Sequence, residues 1–115
     1  MDTSNMIFRS VALERDVDDE LKAHAHRTGM PKGAVYRLFL DTGLAQFAKG
    51  VPLPEVFEGE PLPLRAVHVL FSSDETLRVL SYKLKIEKGE LTRRMTKLGM
   101  LTIRAGLDGI QGGER

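Results

Sequence analysis

The chain has 115 residues, 29% of them charged, a net charge of +1 and no cysteine. That length suits one small domain, and the lack of cysteine excludes a disulfide scaffold and thiolate metal sites while fitting a reducing, cytoplasmic setting. No apolar run approaches the ~20 residues that cross a bilayer, and no secretory leader is visible, so no membrane association is expected.

Met1 to Met6 is polar and expected to fray. Over residues 7–15 apolar and β-branched side chains alternate with period two, which predicts a strand with Val11 and Leu13 inward. Asp16 is the expected N-cap of a first helix from about Val17 to Thr28, with acidic Asp18, Asp19 and Glu20 in its first turn and Val17, Leu21, His24 and Ala25 at helical spacing. Gly29 should end it. Pro31 should open a second helix that carries Val35, Phe39 and Leu38 or Thr42 on one side and lasts to about Ala48, before Gly50 and Pro52.

Residues 51–63 hold four of the five prolines, interleaved with Glu55, Glu58 and Glu60, and are expected to form a semi-rigid extended linker. A second strand is predicted over 64–71 with Val67, Val69 and Phe71 inward. Ser72 or Ser73 should cap a helix burying Leu77, Leu80 and Leu84. A last helix from Lys88 to about Arg104 should use Leu91, Met95, Leu98 and Ile103, and the Gly-rich residues 107–115 should form a disordered tail.

The second half restates the first without a gap. At an offset of 56 residues, Arg9, Val11, Asp18, Leu21, Lys32, Gly33, Arg37, Gly43 and Gly50 meet Arg65, Val67, Asp74, Leu77, Lys88, Gly89, Arg93, Gly99 and Gly106. These nine identities in the 42 pairs from position 9 to position 50 compare with roughly two or three expected from composition, which indicates an internal duplication of 7–50 as 64–106. A unit of this size is near the lower limit for folding alone, so the two copies should share one core within a single domain, 1–115. Gly43 and Gly99, inside helices where glycine costs ~1 kcal/mol, point to close helix packing. Charge is uneven: residues 1–50 balance, 51–63 are acidic, and 64–115 carry ten basic against six acidic side chains, so a polyanion should favour the second copy.

A strand, two helices and a Gly-containing turn, repeated, resemble the ribbon-helix-helix family of the Arc and MetJ repressors. The resemblance rests on the alternating strand Arg9 to Leu13, the first-helix Leu21, and the turn Gly29 to Gly33 in place of the family's Gly-x-Ser-x-Ser. It implies a mainly α fold with a two-stranded antiparallel ribbon, built from two tandem β-α-α repeats as an intramolecular pseudo-dimer. It further implies that the ribbon enters the major groove of double-stranded DNA while the second helix of each repeat anchors a phosphate at its N-terminus. The outward strand positions that would face bases are Phe8, Ser10 and Ala12 in one strand and Leu64, Ala66 and His68 in the other. Only Ser10 and His68 can hydrogen-bond a base; Ala12 and Ala66 can touch thymine methyls. The sequence departs from the family at the turn, where Pro31 and Glu87 replace the capping serine, and a Glu87 carboxylate would repel a phosphate.

Lys32 with Gly33 and Lys88 with Gly89 are candidate phosphate ligands at the positive ends of helix dipoles, against the alternative of solvated surface lysines. Arg37 and Arg93 follow one turn later, with carboxylate pairing as the alternative. Arg9 and Arg65 fall on the inward register at the ribbon ends, where they snorkel to solvent or reach the DNA backbone; both remain open. His24 and His26, two apart on a helix, face different ways and do not make a metal pair, and no catalytic motif is present. The function that the resemblance implies is sequence-specific DNA binding by a transcriptional regulator, with a plasmid association suggested by the family's tandem members, and no enzymatic activity, cofactor or small-molecule substrate is expected. The chain should be monomeric in solution, with higher assembly on DNA left open. The alternative is a protein-interaction or antitoxin-like module that kept the fold without DNA, favoured by the apolar Phe8, Leu64 and Leu70 on the outward face.

Overall fold

A computed structural model describes residues 5–56 and 62–113, with 107–113 by backbone alone. In chain order the elements are β1 (Met6–Ala12), α1 (Arg15–Thr28), α2 (Lys32–Ala48), β2 (Leu64–Leu70), α3 (Phe71–Leu84) and α4 (Lys88–Gly113). The fold is thus mainly helical with one two-stranded sheet. Among the described residues no helix is long and apolar enough to cross a membrane.

β1 and β2 pair antiparallel, with Met6 opposite Leu70, Ser10 opposite Ala66 and Ala12 opposite Leu64. The ladder continues beyond both ends, since Leu13 N donates to Pro63 O at 3.0 Å and Phe71 N to Asn5 O at 2.9 Å. Period two sends Leu13, Val67 and Val69 into the core, where all are buried, while Phe8, Ser10, Ala66 and His68 stay exposed on the opposite face. Phe71 departs from the expected inward set and is 56% exposed. The helix α3 begins at that residue, so strand alternation has already ended at Leu70.

The expected caps also differ. α1 starts at Arg15 with Glu14 as N-cap, and α3 starts at Phe71 with Leu70 as N-cap, neither making a side-chain cap bond. Each helix follows its strand almost directly, so the cap is whichever residue still has extended backbone, and its side chain goes where the strand sends it. Glu14 is buried against Lys97 at 3.3 Å. Asp16 accepts a bond from the neighbouring Val17 N at 2.8 Å, and Ser73, inside α3, donates to Asp41 at 2.7 Å.

α1 ends at Gly29 in the left-handed region (φ 74), with Gly29 N bonded to Ala25 O, as the glycine predicts. Its counterpart after α3 is Lys85, also left-handed (φ 56), a conformation that costs a non-glycine residue about 1–2 kcal/mol. This turn brings Ile86 back against the core and leaves Leu84 39% exposed, contrary to the expected burial of Leu84. Pro31 caps α2 from outside rather than opening it. α4 continues in backbone through 107–113, where a disordered tail was expected: once a helix is nucleated, each added residue gains a bond without paying for a new nucleus. Residues 1–4, 57–61 and 114–115, on which parts of the frayed-end, linker and tail expectations fall, lie outside the described residues.

α2 and α4 form the central pair, and their backbones touch. A Cβ on Gly43 would stand 1.9 Å from Met95 O, and one on Gly99 would stand 1.6 Å from Phe39 O. Only glycine permits that approach. Around the crossing, Leu13, Val17, Leu21, Val35, Tyr36, Phe39 and Leu40 join Val67, Val69, Leu77, Leu91, Met95 and Met100 in one buried cluster. Residues from both halves therefore share one core, each fully buried aliphatic or aromatic side chain contributing roughly 1.5–3 kcal/mol. Tyr36, Leu40 and Met100 were not singled out by spacing, because α2 and α4 are covered on more than one side.

Candidate functional site

The outward face of the sheet pairs Phe8 with His68, Ser10 with Ala66 and Ala12 with Leu64. The Phe8 and His68 rings meet edge to face, with centroids 5.2 Å apart. Ser10 and His68 are its hydrogen-bonding side chains between exposed Phe8 (59%) and Leu64 (71%). In the antiparallel ladder the backbone groups of these even-numbered residues point off the sheet edges. Arg37 takes one of them, donating from Nη1 to His68 O at 3.0 Å, which brings the start of α2 beside β2. The start of α4 lies beside β1, where Ser10, Ala12, Gly89 and Arg93 line a common cavity.

The two strand arginines are engaged within the protein. Arg9 donates from Nε and Nη2 to both carboxylate oxygens of Asp74 at 3.3 and 3.1 Å, and Arg65 donates from Nε to Asp18. Each links a strand to the helix that follows the other strand. Lys22 joins Asp18 at 3.2 Å and Lys88 joins Asp74 at 2.8 Å. Burial alone would raise both carboxyls, but for Asp18 the hydrogen bonds from Arg65 and Lys22, and for Asp74 those from Arg9 and Lys88, outweigh it and hold the two groups below the ordinary range. The recurrence of one arginine and one aspartate at the same offset was the available sequence signal for this cross-pairing.

The starts of α2 and α4 are unlike. At α2, Lys32 is exposed and no carboxylate among the described residues pairs with it, and the first turn holds no acid. Gly33 is half-buried beneath Arg37, whose Nη1 would lie 3.6 Å from an added Cβ. At α4, Lys88 is tied to Asp74, and the Glu87 carboxylate lies 3.3 Å from where a Cβ on Gly89 would be. Glu90, also in that first turn, is held by Arg94 at 2.8 Å. An incoming anion meets bare amides and a free cation at α2 but resident carboxylates at α4, the reverse of what the summed charges of the halves imply. The histidines do not converge: His24 is buried edge-on to Phe39 at 5.9 Å, while His26 and His68 are exposed. Compared with known protein families, curated proteins and solved structures, the chain finds no significant match.

Proposed function

We propose that this chain is a sequence-specific double-stranded DNA-binding protein of ribbon-helix-helix type, a transcriptional regulator such as plasmids carry, whose tandem repeats form an intramolecular pseudo-dimer. The carrying observation is the sheet: its inner face is closed by helices, its outer face is exposed, and a helix start stands beside each strand. Such a ribbon fits a major groove ~12 Å wide. A pseudo-dyad is supported by the register, which sets Ser10 against Ala66, its own counterpart 56 positions on. Reciprocal contacts support it too: Arg9 with Asp74 answers Arg65 with Asp18, and Gly43 on Met95 answers Gly99 on Phe39.

In this reading Ser10 and His68 hydrogen-bond base edges and Ala12 and Ala66 contact thymine methyls, while Lys32 and Gly33 anchor a phosphate that Lys88 and Gly89 match less well. Arg9 and Arg65 brace the ribbon on its inner side. The chain is monomeric in solution and acts without enzymatic activity. Selection of bound sequences from random duplex DNA should give a consensus, with affinity falling on a log-log salt plot at about −0.9 per phosphate contact. Ser10→Ala or His68→Ala should narrow the gap between specific and random DNA by ~1–3 kcal/mol and leave the salt slope nearly unchanged. A second reading, a protein-interaction or antitoxin-like module, is favoured by the exposure of Phe8 and Leu64. No consensus and a flat salt response would put it first.

A further inference from the structure

In the strand register the Ser10–Ala66 pair is its own counterpart at the offset of 56, so every position at one end of the ribbon has a counterpart at the other. Phe8 corresponds to Leu64, and His68 to Ala12. One end of the outward face therefore carries Phe8 and His68, ring against ring at 5.2 Å, and the other carries Leu64 and Ala12. The first end offers an aromatic pair with hydrogen-bonding nitrogens, the second only aliphatic groups.

The helix starts are unequal in the same sense. Arg37, donating to His68 O, ties the start of α2 to the first end. There Lys32 is exposed, and Pro31 and Ala34 stand where the start of α4 has Glu87 and Glu90. The start of α4 lies beside Ala12 at the second end, with Lys88 held by Asp74 at 2.8 Å. His68 and Lys32 belong to different repeats, and only the strand pairing brings them to one end. A two-fold protein matches a palindromic site because its halves offer the same groups. Here they offer different ones. Resting on the DNA-binding reading above, we infer that the ligand of this face is a non-palindromic duplex bound in one orientation. One half of it is fixed by a hydrogen-bonding base edge at His68 and by a phosphate at the start of α2. The other half presents thymine methyls to Ala12 and Leu64 and is held by fewer phosphate contacts.

The test is the symmetry of the bound sequence. Duplexes selected from random DNA by the full chain should align to a consensus with unlike halves, one strongly constrained and one A·T-rich. Three duplexes are then compared: the selected site and the two palindromes made by doubling either half. The selected site should bind tightest and the doubled A·T-rich half ~5-fold or more weakly, because it offers His68 no specific edge. His68→Ala should remove most of that difference. Ala12→His, which copies position 68 onto the other end, should shift preference toward the doubled constrained half; if that variant does not fold, the comparison with the parent chain decides. Neutral methylphosphonates placed in one flank at a time should weaken binding more on the constrained side than on the A·T-rich side. A palindromic consensus, equal affinity for the two doubled duplexes, or equal loss from both flanks would overturn the asymmetric site while leaving DNA binding in place. No consensus at all would overturn both.

Discussion

Gly99→Ala adds one methyl group where α2 and α4 cross, and its cost can be worked from the contacts. The new Cβ would stand 1.6 Å from Phe39 O, 2.6 Å from the Phe39 carbonyl carbon and 2.9 Å from Gly43 N, whereas ordinary contact begins at 3.4 Å. All three obstacles are backbone, so no side chain can rotate away. The helices must part by roughly 1.5–2 Å, and a gap of only 0.5–1 Å already forfeits about a quarter to a half of the dispersion well between facing atoms. Overpacking typically costs ~1–3 kcal/mol, and a backbone obstacle belongs at or beyond the top of that range. Alanine's better helix propensity returns ~1 kcal/mol. The expected net loss is about 2–4 kcal/mol, a large fraction of a typical 5–15 kcal/mol stability. Urea unfolding followed by far-UV circular dichroism should show the midpoint falling with the slope unchanged. Gly106→Ala, on the same helix with nothing within 4 Å, is the control and should be neutral or up to ~1 kcal/mol more stable. A Gly99→Ala protein as stable as the parent would refute the backbone contact.

Leu21→Ala and Leu77→Ala, at positions 0% and 2% exposed, should each cost ~2–5 kcal/mol in the same assay; a loss near 0.5 kcal/mol, the surface level, would contradict their burial. Asp18 and Asp74 have folded pKa values below their ordinary one, so their stabilising effect is complete above the unfolded value of ~3.9 and is lost as pH falls through the folded values. Unfolding midpoints should therefore drop on acidification below about pH 4, and Asp18→Asn combined with Asp74→Asn should flatten that limb. On DNA, Lys32→Ala should reduce the salt slope by about 1 and Lys88→Ala by less, because Lys88 would have to leave Asp74; the opposite order would mean that the ion pair does not persist on DNA.

Much of the architecture was legible in the chain itself. Alternation around Val11 and Val67, helical spacing around Leu21 and Leu77, and stop signals at Gly29 and Gly50 are local, because a side chain's burial follows from its place on a strand or helix face. The 56-residue recurrence went further: it marked Gly43 and Gly99 as a close approach before any helix was seen to cross another. The caps were misjudged because Glu14 and Leu70 take that position by geometry inherited from the strands, not by side-chain chemistry. Only the tertiary structure decided which arginine meets which aspartate, since Arg9 and Asp74 are 65 positions apart and their pairing depends on the strands lying side by side. It also decided that the α2 and α4 starts are unequal. Net charge summed along a segment cannot tell a free Lys32 from a Lys88 held by a carboxylate, because electrostatic effect depends on distance in space, not in sequence.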